Sequence, residues 1–316
     1  MPEISVVAPV YNQRAATLDE LVRRLSVAIA TITEDFEIIF VDDGSVNDAW
    51  PAISDMARGN PRVRGFSLAR NFGQHVAITA GLDHADGKWV VVMDADLQDR
   101  PEVIPELYAK AQQGYDVVFV NRAQRPESLV YRMVAAVFYM ILNALSGQDY
   151  NRLQGNFSIV SANAVRAFRL LREPGRFYGG TLRWIGFRHG SITAAHAPPD
   201  AGQTSYSFRK RIQFALSVIV SFSTRLLYIS IVIGLLMALV SFIMAGFIIA
   251  EKILYPKYPL QGWPSVMTAI FFTAGVTNVA IGLTGIYIGQ ILQQTKGRPL
   301  YVVAATIPDQ TQSSIR

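Results

Sequence analysis

Asp94 and Asp96 stand two residues apart, directly after the apolar run Trp89-Val90-Val91-Val92-Met93. In extended backbone, side chains two apart point the same way, so these carboxylates are expected to converge. Paired carboxylate oxygens suit a hard divalent cation, Mg²⁺ or Mn²⁺, which binds one or two carboxylates together with substrate phosphates and neutralises charge on a departing diphosphate. Taken alone, an Asp-x-Asp is equally a solvated turn. Here it follows a run with the composition of a buried strand, and a second acidic pair, Asp42-Asp43, follows another such run. Pro9-Val10-Tyr11-Asn12, Arg70-Asn71-Phe72-Gly73 and Asn121-Arg122 occupy corresponding positions after three further apolar stretches.

The elements that must carry these groups read as strands over 4–8, 37–41, 63–68, 89–93 and 117–120. Helix-length amphipathic stretches over 17–32, 48–58, 73–84 and 101–113 separate them, the last opened by Pro101 with Glu102 in its first turn. Short apolar strands alternating with helices indicate a doubly wound α/β domain, a parallel sheet with helices on both faces. Ligands bind such sheets beyond the carboxyl ends of the strands, where the polar clusters fall. Further helices are expected over 129–145 and 162–171. A glycine-rich dinucleotide fingerprint and a Walker-type loop are both missing, which argues against a nicotinamide dehydrogenase and a P-loop NTPase. The four histidines, His75, His84, His189 and His196, have no metal-ligand spacing and read as structural.

Hydrophobic residues make up 51% of the 316 residues, high for a soluble enzyme. The excess is concentrated: 226–250 and 263–292 contain no charged residue, and each is long enough to cross a hydrocarbon core about 30 Å thick. Two transmembrane helices, about 226–250 and 264–292, are therefore expected. Arg209, Lys210, Arg211 and Arg225 precede the first, and Lys296 and Arg298 follow the second. The connecting loop carries only Glu251, Lys252 and Lys257. That asymmetry puts both chain ends on the cytoplasmic side. Residues 1–12 read as a strand and its loop rather than a signal peptide, so the first domain is expected to stay cytoplasmic.

Residues 209–222 have the pattern of an amphipathic helix lying in the membrane interface, with Gln213, Ser217 and Ser221 at four-residue spacing. Tyr255, Tyr258, Trp263 and Tyr301 fit an interfacial aromatic belt. The resulting division is a catalytic domain over 1–208, an interfacial helix over 209–224, two spans over 225–295 and a tail over 296–316, whose residues 306–316 read as irregular. With no cysteine, disulfides, thiolate zinc sites and cysteine nucleophiles are excluded. The net charge of +5 clusters beside the spans, which favours a lipid phosphate or anionic headgroups over nucleic acid. Gly282, Gly285 and Gly289 line one side of the second span and permit close helix packing, within the chain or in a homo-oligomer.

Taken together, several motifs resemble the polyprenyl-phosphate glycosyltransferases of family 2, which include the dolichyl-phosphate mannose synthase group and bacterial undecaprenyl-phosphate enzymes with two C-terminal spans. They are Pro9-Val10-Tyr11-Asn12, Val41-Asp42-Asp43-Gly44-Ser45, Arg70-Asn71-Phe72-Gly73, Met93-Asp94-Ala95-Asp96-Leu97-Gln98-Asp99 and Lys296-Gly297-Arg298-Pro299-Leu300-Tyr301. The resemblance covers nearly the whole chain. It implies a GT-A type fold, a nucleotide-sugar donor, a polyprenyl phosphate acceptor and inversion at the anomeric carbon. It also implies that Pro9, Tyr11, Gln13 and Asp42 meet the nucleoside, that Arg70 lies near the donor phosphates, and that Asp94, Asp96 and Gln98 surround the metal. Arg122 and Arg132 correspond to basic positions near the acceptor phosphate, where a guanidinium can bind bidentately.

Several positions depart from the family pattern, among them Pro199, which stands near a common Arg. Gln13 replaces a usual Glu, Ser205 a frequent Lys, and Asn156 an Asp proposed in relatives as catalytic base. Asn156 is left to orient by hydrogen bonding, with Asp96 as at most a weak assistant. A phosphate monoester, with a second pKa of about 6, is already a competent nucleophile at neutral pH. Two other readings fit parts of the chain. A processive polysaccharide synthase would share the fold, but the Gln-x-x-Arg-Trp motif of such enzymes has Gly180 here in place of its Gln before Arg183-Trp184. A non-catalytic nucleotide-binding membrane scaffold would account for the departures at Gln13, Asn156 and Ser205 but not for Asp94, Asp96 and Gln98.

Overall fold

The computed structural model describes residues 1–122, 133, 136, 140, 143–144, 153–173, 176–194, 225–254 and 262–308. Among these residues the strands are β1 (Ile4–Val10), β2 (Phe36–Asp42), β3 (Val63–Leu68), β4 (Trp89–Val92), β5 (Val117–Arg122), β6 (Gln154–Ser161), β7 (His189–Ala194) and β8 (Val303–Ile307). The helices are α1 (Ala15–Ala30), α2 (Ala49–Gly59), α3 (Gln74–His84), α4 (Ile104–Ala111), α5 (Ala162–Leu170), α6 (Tyr178–Ile185), α7 (Arg225–Leu254) and α8 (Trp263–Thr295). A 3₁₀ turn, Pro101–Val103, leads into α4. The chain divides into two compact units, one holding the sheet with α1 to α6 and the other holding α7 and α8.

All eight strands form one sheet in the order β7-β5-β6-β4-β1-β2-β3-β8. The parallel pairings β1–β2, β2–β3, β1–β4 and β5–β7 follow the expected pattern. The chain adds strands outward from β1 to β3 and then returns through α3 to lay β4 on the other side of β1. That reversal is a topological switch point, where the ends of adjacent strands diverge and leave a crevice. β1, β2 and β4 are nearly continuous apolar runs because both sheet faces are covered. One face packs Val6, Ala8, Ile38, Phe40 and Val91 against Leu18, Leu21 and Leu25 of α1. The other packs Val7, Ile39, Val41 and Val92 against Ala77, Ile78 and Leu82 of α3. Each such aliphatic side chain withdrawn from water contributes about 1.5–3 kcal/mol. Gly81 lets α3 lie close to the sheet, since a Cβ there would sit 2.2 Å from Val7 Cγ1.

The sheet is mixed rather than wholly parallel. β6, to which the sequence analysis assigns no element, runs antiparallel between β4 and β5. β7 and α6 were also not anticipated, and β5 continues two residues further, so Asn121 and Arg122 are strand residues. β4 ends at Val92, one residue early, which puts Asp94 and Asp96 in a turn and replaces the pleat argument for their convergence.

The expectation of an irregular tail is corrected for Thr306 and Ile307, which belong to β8. β8 pairs antiparallel with β3, so the last described residues complete the sheet. Tyr301 is no belt residue. It packs against the α3 side of the core, and its hydroxyl donates to Asp83 Oδ2 at 2.8 Å.

α7 and α8 are long and apolar enough to cross a membrane, with mean hydropathy 2.6 over Leu227–Met244 and 1.8 over Val266–Thr295. Their described side chains are largely exposed, Phe242 at 81% and Phe271 at 75%, which a core helix of a soluble domain would not tolerate. The expected helix over 209–222, together with Arg132, His196 and Ser205, lies outside the described residues. Of the helix expected over 129–145, only 133, 136, 140, 143 and 144 are described, and each is helical.

His75, the second residue of α3, meets the edge of Phe177 at 5.0 Å, and its Nδ1 is buried with no hydrogen-bond partner among the described residues. Burial lowers its pKa to about 4. Because the unfolded chain binds this proton with a pKa of about 6.5, the stability from neutral His75 is complete above that pH. It should be lost as pH falls toward 4, by up to about 3 kcal/mol. Thermal unfolding in detergent between pH 7 and pH 5 should therefore show a downward slope that His75→Leu flattens; an unaltered slope in the variant would contradict this.

Candidate active site

The carboxyl ends of β1, β2, β3 and β4 meet at the switch point, and short hydrogen bonds knit the loops that follow them. Asn12, at φ 55°, donates its N–H to Ser45 Oγ at 2.8 Å, and its Oδ1 accepts from Val46 N at 3.0 Å. Asn47 Nδ2 donates to the Gln13 carbonyl at 3.0 Å. Pro9 is partly buried at the end of β1, Gln13 is partly buried beyond it, and Tyr11 is half-exposed over the crevice rim. Asp42 is buried and accepts from Ser45 N at 3.2 Å and from Ser67 Oγ at 3.1 Å. Asp43 accepts from the N–H groups of Phe72 at 2.7 Å and Gly73 at 2.9 Å, just before the first turn of α3. Burial, with Asp42 adding to it, raises the Asp43 pKa against those two donors.

This bracing settles the path of the Arg70 loop. Gly44, at φ 68°, takes a conformation that L side chains disfavour, and a Cβ there would stand 2.5 Å from the Arg70 carbonyl carbon and 2.6 Å from Asn71 N. The exposed Arg70 guanidinium lies over the Phe72 ring, 4.1 Å from its centroid, and donates to the Asn71 carbonyl at 3.2 Å.

The turn after β4 holds the densest charge. Asp94 N donates to Asp99 Oδ2 at 3.3 Å, and Gln98 N donates to Asp96 Oδ1 at 3.0 Å, across Leu97 at φ 60°. A leucine in the left-handed region costs about 1–2 kcal/mol, so the turn is strained where the two expected cation-holding carboxylates lie. Gln74, the first residue of α3, donates Nε2–H to Asp94 Oδ1 at 2.5 Å. Burial, then the neighbouring carboxylates Asp99 and Asp96, push the Asp94 pKa up to about 7, while Arg122 and the Gln74 hydrogen bond oppose the shift. The cluster therefore has an electrostatic demand for positive charge. Among the described residues no group of three or more His, Asp or Glu side chains forms a ready-made metal cage. The residues present fit a cation that takes part of its ligation from substrate phosphates, as Mg²⁺ commonly does.

Arg122, at the end of β5, donates its backbone N–H to the Leu153 carbonyl at 2.8 Å. Its guanidinium crosses the backbone of Gly155, where a Cβ would stand 3.2 Å from Nε. Its Nε is buried without a hydrogen-bond partner among the described residues. Asp99, Arg100, Arg122, Gly155 and Phe157 line one recess. Asn156 sits on β6, two residues before Ser158, which pairs with Val92 at the end of β4. The β5–β6 register shifts between Phe119 and Asn121, opposite residues 154–158, and Ser158 Oγ bonds the Tyr178 hydroxyl at 2.8 Å.

Sequence reading had thus indicated most of the polar groups at this edge but missed Gln74, Asp99 and the bracing role of Asp43. Gln74 directly follows the Arg70-Asn71-Phe72-Gly73 motif, in the first turn of the helix expected over 73–84, but its contact with Asp94 depends on how that helix lies against the turn after β4. Gly44→Ala should cost on the order of 2 kcal/mol of thermal stability, through its positive φ and its collision with the Arg70 backbone. An unchanged unfolding temperature would show that the two loops are not held at this distance.

Residues 5–173 match the profile of Glycosyl transferase family 2. An uncharacterized glycosyltransferase of Synechocystis is 34% identical over 303 residues, covering 96% of this chain and 95% of that protein. The prophage bactoprenol glucosyl transferase homolog of Escherichia coli is 34% identical over 309 residues, covering 95% and 98%, and the bactoprenol glucosyl transferase of Shigella phage SfII is 35% identical, covering 95% and 97%. Among solved structures, the glucosyl-3-phosphoglycerate synthase of Mycobacterium tuberculosis, in complex with Mn²⁺, uridine diphosphate and phosphoglyceric acid, superposes with a TM-score of 0.51 at 19% identity, covering 69% of this chain and 76% of that one. That likeness concerns the fold, a GT-A-like mixed sheet. With a family match over more than half its length and near full-length relatives at a third identity, the chain belongs to glycosyl transferase family 2.

Proposed function

We propose that this glycosyltransferase moves a sugar from a nucleoside diphosphate sugar to a polyprenyl phosphate, with inversion at the anomeric carbon. The observation that carries the reading is the gathering of Asp94, Asp96 and Asp99 in the turn at the switch point, where burial first and the neighbouring carboxylates Asp99 and Asp96 after it raise the Asp94 pKa, an arrangement that supports a cation beside a polyphosphate. Relatives named bactoprenol glucosyl transferase support the acceptor class, and the Mn²⁺ and uridine diphosphate in the mycobacterial structure support a divalent metal and a nucleotide donor.

In this mechanism Asp94 and Asp96, with Gln98 beside them, would hold Mg²⁺ or Mn²⁺, which when bound would neutralise charge on the diphosphate leaving group. Pro9, Tyr11, Gln13 and Asp42 receive the nucleoside, and Arg70 adds positive charge beside the donor phosphates. Arg122, with Arg132, grips the acceptor phosphate so that one oxygen lies behind the anomeric carbon. That oxygen forms the new bond to carbon as the bond to the diphosphate breaks, and the diphosphate leaves with the electron pair. A phosphate dianion has no proton to lose, so Asn156 suffices as a hydrogen-bonding guide and no base is required. α7 and α8 would hold the catalytic domain at the cytoplasmic face of the plasma membrane, where the lipid acceptor resides, with residues 1–208 as that domain, 209–224 as an interfacial helix and the C-terminus also cytoplasmic.

Purified protein in detergent, given Mn²⁺, undecaprenyl phosphate and a panel of UDP-, GDP- and dTDP-sugars, should yield organic-extractable sugar with one donor; nucleotide binding without transfer from any donor would defeat the enzymatic reading. Asp96→Asn should lower kcat by about 10²-fold or more while the protein keeps its unfolding temperature. Full turnover in that variant would remove the metal assignment.

A further inference from the structure

The segment that follows α8 makes contacts that a passive tail would not need. Val303 pairs with Leu68 at the top of β3, and the next backbone bond up the ladder runs from Ala69 N–H to the Val302 carbonyl at 2.9 Å, one residue before Arg70. Tyr301 donates to Asp83 of α3, and Arg172 grips the same carboxylate through Nη1 at 2.6 Å and Nη2 at 2.9 Å. Burial and the adjacent carboxylate raise the Tyr301 pKa, so the phenol stays a proton donor across the physiological range. Tyr301, Val303 and Phe72 all pack against the apolar cluster that contains Leu68, Ile78 and Leu82. Phe72 is also the ring under the Arg70 guanidinium.

We propose that residues 301–303 are positioning groups for the donor end of the site: the Val302 carbonyl fixes the backbone before Arg70, and Tyr301, through Asp83 and its packing against the same apolar cluster that seats Phe72, steadies the surface on which that guanidinium rests. The inference deepens the proposed function, because it relies on Arg70 lying near the donor phosphates. β8 is an edge strand, so its removal leaves the seven other described strands paired. Its removal opens the β3 edge from Gly65 to Leu68, and at the site end it costs the Ala69 N–H its partner and frees the bulge between Ser67 and Leu68, next to the hydroxyl that holds Asp42.

The test compares the full chain with Tyr301→Phe and with a chain ending at Arg298, which retains α7 and α8. Tyr301→Phe keeps the ring and loses the hydrogen bond; it should raise donor KM about three- to five-fold while kcat and acceptor KM stay within about two-fold. The shortened chain should bind uridine or guanosine diphosphate about ten-fold more weakly or worse. In both variants amide exchange over 69–73 should quicken while β1 and β2 keep their protection.

Unchanged exchange over 69–73 in Tyr301→Phe, or a uniform fall in kcat and stability with donor KM unmoved, would overturn the proposal. If the shortened chain does not fold, Tyr301→Phe decides alone. If the intact chain transfers no sugar from any donor, the enzymatic reading fails, and exchange over 69–73 together with nucleoside diphosphate affinity still decides this one.

Discussion

Negative charge gathered in a half-buried turn is the constraint around which the catalytic unit is built. Asp94 cannot be buried beside Asp96 and Asp99 without either holding a proton or being met by a cation, and Arg122 and Gln74 only partly relieve it. The two relieving groups come from different elements, Gln74 from the first residue of α3 and Arg122 from the last residue of β5. The interposed antiparallel β6 sets how far Arg122 stands from that turn, and Gly155 on the same strand makes room for its guanidinium. A frame this constrained keeps its charge arrangement before any ligand arrives, which is the sense in which such sites act by preorganisation.

The acidic pair after β2 works differently. Asp43 spends both oxygens on backbone N–H groups ahead of α3, and Asp42 receives Ser45 and Ser67. These carboxylates organise the loops that carry Arg70 and the residues following β1 and β2. Substitutions of Asp43 would therefore act on the shape of the crevice and on the start of α3 together, and would resemble catalytic lesions without any contact to substrate.

Much of the first half was legible in the sequence. β1 to β4 and α1 to α3 have local signatures, apolar runs of strand length and helical periodicity, and each parallel crossover joins neighbours in the chain. β6 and β8 were not. β6 pairs with strands that precede it, and Gln154-Gly155-Asn156 opens it with residues that disfavour strand, so tertiary pairing overrides local preference. β8 is a short segment of ordinary composition whose partner, β3, lies more than two hundred residues earlier. At the site, the residue types after each strand were readable because strand ends are. The turn that joins Asp94 to Asp96 was misread as pleat because β4 stops one residue early and Leu97 adopts a left-handed conformation that no propensity announces. Gln74 was missed for a related reason: its contact with Asp94 depends on where α3 begins in space.

The order of elements also bears on how the protein is made. A ribosome must synthesise both long apolar helices before the residues of β8 exist, so the edge of β3 stays open while α7 and α8 are being made. An open edge strand is a hazard for mispairing, and here the hazard lasts until β8 has been synthesised. Closure of the sheet thus follows both apolar helices in time, and a chain stalled or cut within the second of them would carry a nearly complete catalytic unit with one unguarded side.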